Sequence, residues 1–181
     1  MKTILTVLSA ILMATSALAS ENAPYAGLEA RDIATLSDKD VDDLLAGRGW
    51  GFALAAELNG YPGPAHVLEL ADELALTDSQ QAEVQAIFDE MNARARALGA
   101  EYVAAEAAVS RAFGTGEVDA ETLAALIAAS GAIEADLRRV HLEAHLQVKP
   151  LMTRHQTMLY NRARGYDDAS GGHGGGGHSH D

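Results

Sequence analysis

Two apolar stripes, mirrored about a glycine turn, constrain this chain more than any other feature. Val84, Ile87, Phe88, Met91, Ala95, Leu98, Tyr102, Val109 and Phe113 recur at helical spacing, threes and fours with one interval of seven, up to Gly114-Thr115-Gly116. Beyond that turn Leu123, Ile127, Ser130, Ile133, Leu137, Val140 and Ala144 repeat the pattern until Lys149-Pro150 breaks it. Such spacing returns to one helical face every turn, so each run reads as an amphipathic helix whose stripe needs burial. The short turn between them lets the two stripes bury against each other as an antiparallel hairpin. No run alternates β-branched and polar residues for long, and strands are not expected.

Start and stop signals place shorter helices around the hairpin. Ser37 with Asp38 and Asp40 opens a helix that Gly47 ends, and the stretch "GRGWGFALAAELNGYPGP", Gly47 to Pro64, is a Gly/Pro-punctuated connector. Pro64 suits the first helical position, and a helix is expected from there to about Ala75. Thr77 with Gln80 forms a capping box for the first long helix, Asp119 opens the second, and Thr153 with Gln156 caps a last helix ending near Gly165. The expected fold is all-α: a long antiparallel helical hairpin with short flanking helices. Trp50 and Phe52 are expected to plug this bundle, Met91, Met152 and Met158 to lie in its core, and Asp38, Asp40, Asp42 and Asp43 to be caps and solvated surface.

The ends of the chain read differently. Lys2, the apolar run Ile4 to Met13 and Ala17-Leu18-Ala19 have the order of a cleavable secretory signal, residues 1–19. Residues 20–63 hold the short helix and connector, 64–166 the helical domain, and 167–181 a Gly/His-rich tail too poor in apolar residues to build a core, hence expected to be disordered. The formal charge of −13 becomes one unit more negative once Lys2 is removed. It disfavours nucleic acid and favours cations or basic clients. With no cysteine, any metal must sit on His, Asp, Glu or Met. No nucleophile elbow, phosphate loop or dinucleotide fingerprint appears, and no enzymatic activity is expected.

The residues with metal chemistry are few. In "RRVHLEAHL" His141 and His145 stand four apart, on one helical face and within reach of one cation. The Glu of "HLEAH" is its third residue, so this is not a zincin-type protease motif. Reflection about Gly116 sets residue 141 opposite Met91 and 145 opposite Ile87, with Glu90 on the neighbouring flank. If the chain folds back near Thr77, His66 reaches the same level, so His141, His145, His66 and Glu90 form a candidate site with Met91 as a soft ligand. The bland alternative is an ordinary helix surface, with Arg138 on the His141 face repelling a cation unless Glu134 holds it. His155 reads as part of a capping turn. In the tail, His173, His178, His180 and Asp181 are a second set of candidate donors.

The same reflection brings residue 78 opposite residue 154, so "LTDSQ" (Leu76, Thr77, Gln80) and "MTRHQ" (Met152, Thr153, Gln156) face each other. A leader, a helical hairpin and paired L-T-x-x-Q motifs resemble the Spy/CpxP superfamily over roughly residues 64–166. "GYPGPAHVLELADELALTDSQ" and "HLEAHL" are most similar to its heavy-metal sensor and resistance branch, which includes CnrX-like and zinc-resistance-associated proteins. Met152 departs from the leucine of the motif. The resemblance implies a hooked helical hairpin in the periplasm, a homodimer, and binding of a divalent transition metal (Zn, Ni, Co or Cu) in sensing or resistance. The partner would be a membrane-bound signalling protein. The other branch implies a metal-independent chaperone that cradles unfolded clients.

Overall fold

The structure, a computed structural model, describes residues 24–166; the expected leader and the Gly/His-rich tail lie outside the described residues. Residues 24–30 are the described part of a separate N-terminal unit, and among them the Glu29 carboxylate accepts the Gly27 N–H at 2.6 Å. From Arg31 onward the chain is a helical unit built from α1 (Asp38–Leu45), α2 (Leu54–Glu57), α3 (Pro64–Glu69), α4 (Asp78–Thr115), α5 (Ala120–Val148) and α6 (Arg154–Ala163). Among the described residues there is no strand and no helix long and apolar enough to cross a membrane.

The long hairpin forms where its caps and stripes place it. The Thr77 hydroxyl accepts the Gln80 N–H while the Gln80 amide oxygen accepts the Thr77 N–H, and α4 ends at Gly116 in the left-handed conformation, φ 70°. Asp119 caps α5 by accepting the Thr122 N–H at 2.7 Å. Thr153 and Gln156 repeat the capping box at the start of α6. The two boxes meet: the Gln80 amide donates to Gln156 Oε1 at 3.0 Å, the Gln156 amide donates to Gln80 Oε1 at 3.1 Å, and Gln80 also reaches the Leu151 carbonyl at 2.7 Å. This exchange satisfies half-buried amides and holds the base of the hairpin in register.

Three apolar clusters fill the unit. At the base, Val67 and Leu74 pack with Val84, Val148, Met152 and Tyr160. In the middle, Met91 and Ala95 of α4 pack with Val140 and Ala144 of α5. Further along, Leu36, Leu44 and Phe52 cover Tyr102 and Leu137. The expected helix from Pro64 to Ala75 ends at Glu69. The turns that follow still place Leu74 in the basal cluster, and Ala75 after it takes a left-handed conformation, φ 48°. The connector contains the short α2, which the Gly/Pro punctuation concealed.

Other residues depart from their expected places. Met158 is 60% exposed, because α6 offers Tyr160 and Gln156 to the core and turns Met158 outward. Phe113 and Ile127 are 58% and 54% exposed: two helices side by side share one face, and stripe residues off that face remain in water. Asp43 is buried, its carboxylate held by Lys39 and by Arg48 Nε at 2.5 Å, while Asp40 completes the α1 capping box and accepts the Trp50 indole N–H at 2.8 Å. Those donors, Ser37 first, hold the Asp40 carboxyl down at about 2.

Crossing α4, α1 comes so close that a Cβ at Gly99 would overlap the Leu44 carbonyl oxygen and lie 2.8 Å from its carbon. Gly131, in the middle of α5, has open space around its Cβ position. Chemical denaturation should therefore separate two identical substitutions. Gly99→Ala should destabilise the fold by roughly 2 kcal/mol or more, since backbone must move, whereas Gly131→Ala should stabilise it by about 0.5–1 kcal/mol through helix propensity. Equal effects would contradict the close crossing of α1 over Gly99.

Candidate metal centre

Val140 and Ala144 of α5 take the face that meets α4, and this leaves His141 and His145 on the adjoining flank, where the connector covers them. The Phe52 ring stacks on the His141 imidazole with centroids 6.0 Å apart and planes at 21°. The Tyr61 carbonyl accepts from His145 Nδ1 at 2.7 Å. Gly63 lies against the His145 ring so tightly that a Cβ there would be 2.8 Å from Cε1 and 3.0 Å from Nε2. Both histidines are buried, at 3% and 7% exposure.

These contacts determine which atoms are free to bind. A carbonyl oxygen only accepts, so the neutral His145 ring carries its proton on Nδ1 and presents its lone pair on Nε2. A backbone carbonyl behind a ligating imidazole is the arrangement that orients metal-binding histidines. His141 is held neutral: burial first, and then the charge of a protonated His145, pull its pKa from 6.5 to about 4. Its Nε2 is fully buried and has no hydrogen-bond partner. An unpaired buried polar atom costs about 1–3 kcal/mol. The donor set therefore fits a divalent transition ion: two imidazoles one turn apart, one of them with an unsatisfied nitrogen.

A buried carboxylate adjoins the pair. Glu57 Oε1 accepts from Tyr160 Oη at 2.6 Å, Tyr166 Oη at 3.0 Å and Arg164 Nε at 3.3 Å, while Oε2 lies 3.8 Å from His145 Nδ1. Tyr160 Oη also accepts the Gly63 N–H at 3.2 Å. Burial, reinforced by the hydrogen bond to Glu57, pushes the Tyr160 phenol well above its ordinary value. On the other side the Lys149 ammonium donates to the Gly60 carbonyl and lies 5.3 Å from the centre of the Tyr61 ring. Glu57 thus ties the connector, α5 and α6 together beside the imidazoles.

The other expected ligands lie elsewhere. His66 Nδ1 pairs with Glu69 Oε2 at 2.9 Å on the outer side of α3, its side chain 37% exposed. Glu90 is an exposed carboxylate with Arg94 3.9 Å away. Met91 is buried against Val140 and Ala144. The structure therefore brings His141 and His145 together but not His66 or Glu90, and among the described residues no three His, Asp or Glu side chains form a group that could hold a metal ion. The cause is angular. Residues 91 and 140 sit on the shared face, and the small cavity on the Glu90 flank, lined also by Met91 and Glu143, contains Arg94, whose guanidinium pairs with Glu143 at 3.5 Å and opposes a cation. Reasoning from the sequence missed Glu57, Phe52 and Gly63. A signal existed, for Glu57 is the one charged residue between Trp50 and Pro64, and a lone acid in such a run needs buried partners.

A long helical hairpin with reciprocal Thr-x-x-Gln caps and a buried imidazole pair under a short connector defines a class of small all-α proteins. The heavy-metal resistance family matches residues 45–158, and the chain belongs to that family, within the Spy/CpxP-like superfamily. No curated protein matches the chain, and neither does any solved structure.

The neutral His141 carries a pH signature. Its folded pKa, about 4, lies below the unfolded 6.5, so between these values the unfolded chain binds more protons. Its contribution to stability is complete above the unfolded value and is lost as pH falls toward the folded one. In metal-free protein, chemical denaturation at pH 7 and pH 4 should show the wild type losing on the order of 3 kcal/mol more than His141→Leu. Parallel losses in the two proteins would mean that His141 is not held neutral.

Proposed function

We propose that this protein works in heavy-metal resistance or sensing as an exported, periplasmic binder of a divalent transition metal, without enzymatic activity. His141 Nε2 and His145 Nε2 would hold the ion. The observation that carries this reading is the unpartnered, buried Nε2 of the neutral His141 beside an imidazole whose own Nε2 lone pair is set by the Tyr61 carbonyl. Membership of the heavy-metal resistance family supports the same role. The secretory signature of residues 1–19 supports export. A homodimer acting on a membrane-bound signalling protein is the assembly this reading favours.

The test uses protein whose tail histidines, His173, His178 and His180, are changed to alanine, so that only the core pair is measured. Calorimetric titration with Zn²⁺ should show one ion per chain. A further His141→Ala or His145→Ala change should weaken binding by roughly a hundredfold or more. Bound Zn²⁺ should also raise the melting temperature, since the ion binds the folded state alone. No Zn²⁺ binding in the tail-substituted protein would refute the core site.

The exposed Phe113 and Ile127 near the hairpin turn favour a second reading, a metal-independent holder of unfolded chains. Under that reading equimolar protein in EDTA suppresses aggregation of a reduced client, and Phe113→Ser/Ile127→Ser reduces the effect severalfold. Full aggregation with the wild type present would dismiss it.

A further inference from the structure

We propose that residues 51–56 of the connector are a strap that must lift from α5 before His141 can take an ion, with Phe52 as its plug. The inference rests on the core pair being a metal site, and it names what controls entry to that site. His141 Nε2 is shut off from solvent and has no hydrogen-bond partner among the described residues. An ion bound there sheds water and comes to about 2.0–2.1 Å from the nitrogen, so protein must first move aside.

Which element moves follows from what holds each neighbour. His141 belongs to α5, whose Val140 and Ala144 pack on α4, and the base of that hairpin is held by the Gln80–Gln156 exchange. The connector over it is anchored at two points. At one, the Trp50 indole N–H donates to Asp40 of α1 at 2.8 Å and its ring lies 6.0 Å from that of Tyr102 in α4. At the other, Glu57 accepts from Tyr160, Arg164 and Tyr166. Between these anchors Phe52 and Ala56 are buried, Phe52 stacked on the His141 ring, while Gly51, Leu54 and Ala55 are exposed.

The strap is weakly made. α2 has four residues, and its N-cap, Ala53, supplies no side-chain hydrogen bond; a single uncapped turn has little stability of its own. Trp50 is held at φ 42°, a left-handed conformation that a bulky residue adopts under constraint from its surroundings. Lifting Phe52, 5.3 Å from the indole, removes one of those constraints. Local opening of this stretch therefore costs far less than unfolding the hairpin. The far end of the connector keeps its place: the Tyr61 carbonyl still orients His145, and Gly63 puts no side chain beside that ring's Nε2. Opening exposes His141 next to an imidazole that stays aligned.

The test uses protein with His173, His178 and His180 changed to alanine, and its first arm needs no metal. Diethyl pyrocarbonate acylates accessible neutral imidazoles, and mass spectrometry reads the modification at His141. Modification should be slow in this parent, roughly tenfold or more faster in Phe52→Ala, and near the parent rate in Phe52→Leu, which keeps an apolar plug. The second arm mixes the parent with Zn²⁺ and follows the fluorescence of Trp50, the one tryptophan of the chain. The observed rate should level off as Zn²⁺ rises, because opening limits it, and Phe52→Ala should raise that plateau by a similar factor.

Equal modification of His141 in the parent, Phe52→Ala and Phe52→Leu would overturn the strap. A Zn²⁺ rate that stays proportional to concentration and is the same in the parent and Phe52→Ala would overturn it as well, while leaving the core site standing. Faster modification in Phe52→Ala without any Zn²⁺ binding would instead remove the core metal site itself, and the proposed control of ion entry with it.

Discussion

The buried carboxylate of Glu57 is the contact on which the arrangement around the imidazoles depends. A charge removed from water needs close donors, and Glu57 finds them in Tyr160, Arg164 and Tyr166. These partners come from α6 and the residues after it, whereas Glu57 belongs to the connector that runs over α5. Satisfying one acid therefore docks α6 and the residues up to Tyr166 onto the connector, and the connector onto His141 and His145. Breaking such a set by removing one partner strands the others, a cost of several kcal/mol, larger than any surface pair here contributes.

Placement of the site follows from where the hairpin acquires a third layer. Two antiparallel helices bury one face each and leave their flanks wet. Near the turn this is what happens, and Phe113 and Ile127 stay exposed. Toward the base, the connector and α3 fold over one flank and α6 closes the end, so imidazoles that would be surface groups on an isolated helix become buried. Burial then changes their chemistry: His141 loses its charge and its hydrogen-bond partner together. The opposite flank keeps its solvent and its ion pairs, among them Arg94 with Glu143. The imidazoles thus lie on the covered flank and the ion pairs on the open one.

The likeness between the two capping boxes acquires a physical sense in this setting. A Thr-x-x-Gln box satisfies the first turn of one helix and has no need of a copy. With the two boxes centred equally far from the turn, their glutamines meet and exchange amide hydrogen bonds, which pins the lengths of α4 and α5 against each other. The residue levels of His141, His145 and Phe52 depend on that register, because sliding α5 by one turn would move each imidazole about 5.4 Å along the connector.

Local chemistry settled much of the protein in advance. Apolar spacing from Val84 to Ala144, the glycine turn, and the Ser37, Thr77, Asp119 and Thr153 caps specified the helices of the hairpin, its register and its family, since period and capping are properties of short stretches. The i,i+4 histidine pair was legible for the same reason. Which residues stand around that pair was not. His66 and Glu90 lie at the right axial level by helix arithmetic, but level is only one of two cylindrical coordinates, and the angle at which α3 and α4 present their side chains is set by the apolar packing of Val67, Leu74, Met91 and Val140. Glu57, Phe52, Tyr61 and Gly63 belong to a connector without a repeating period, so nothing in their order announces where they point. The sequence by itself determined two helices and a pair of imidazoles; only the tertiary structure decided that a lone acid and an aromatic ring would bury them, because burial depends on what folds over a side chain from far along the chain.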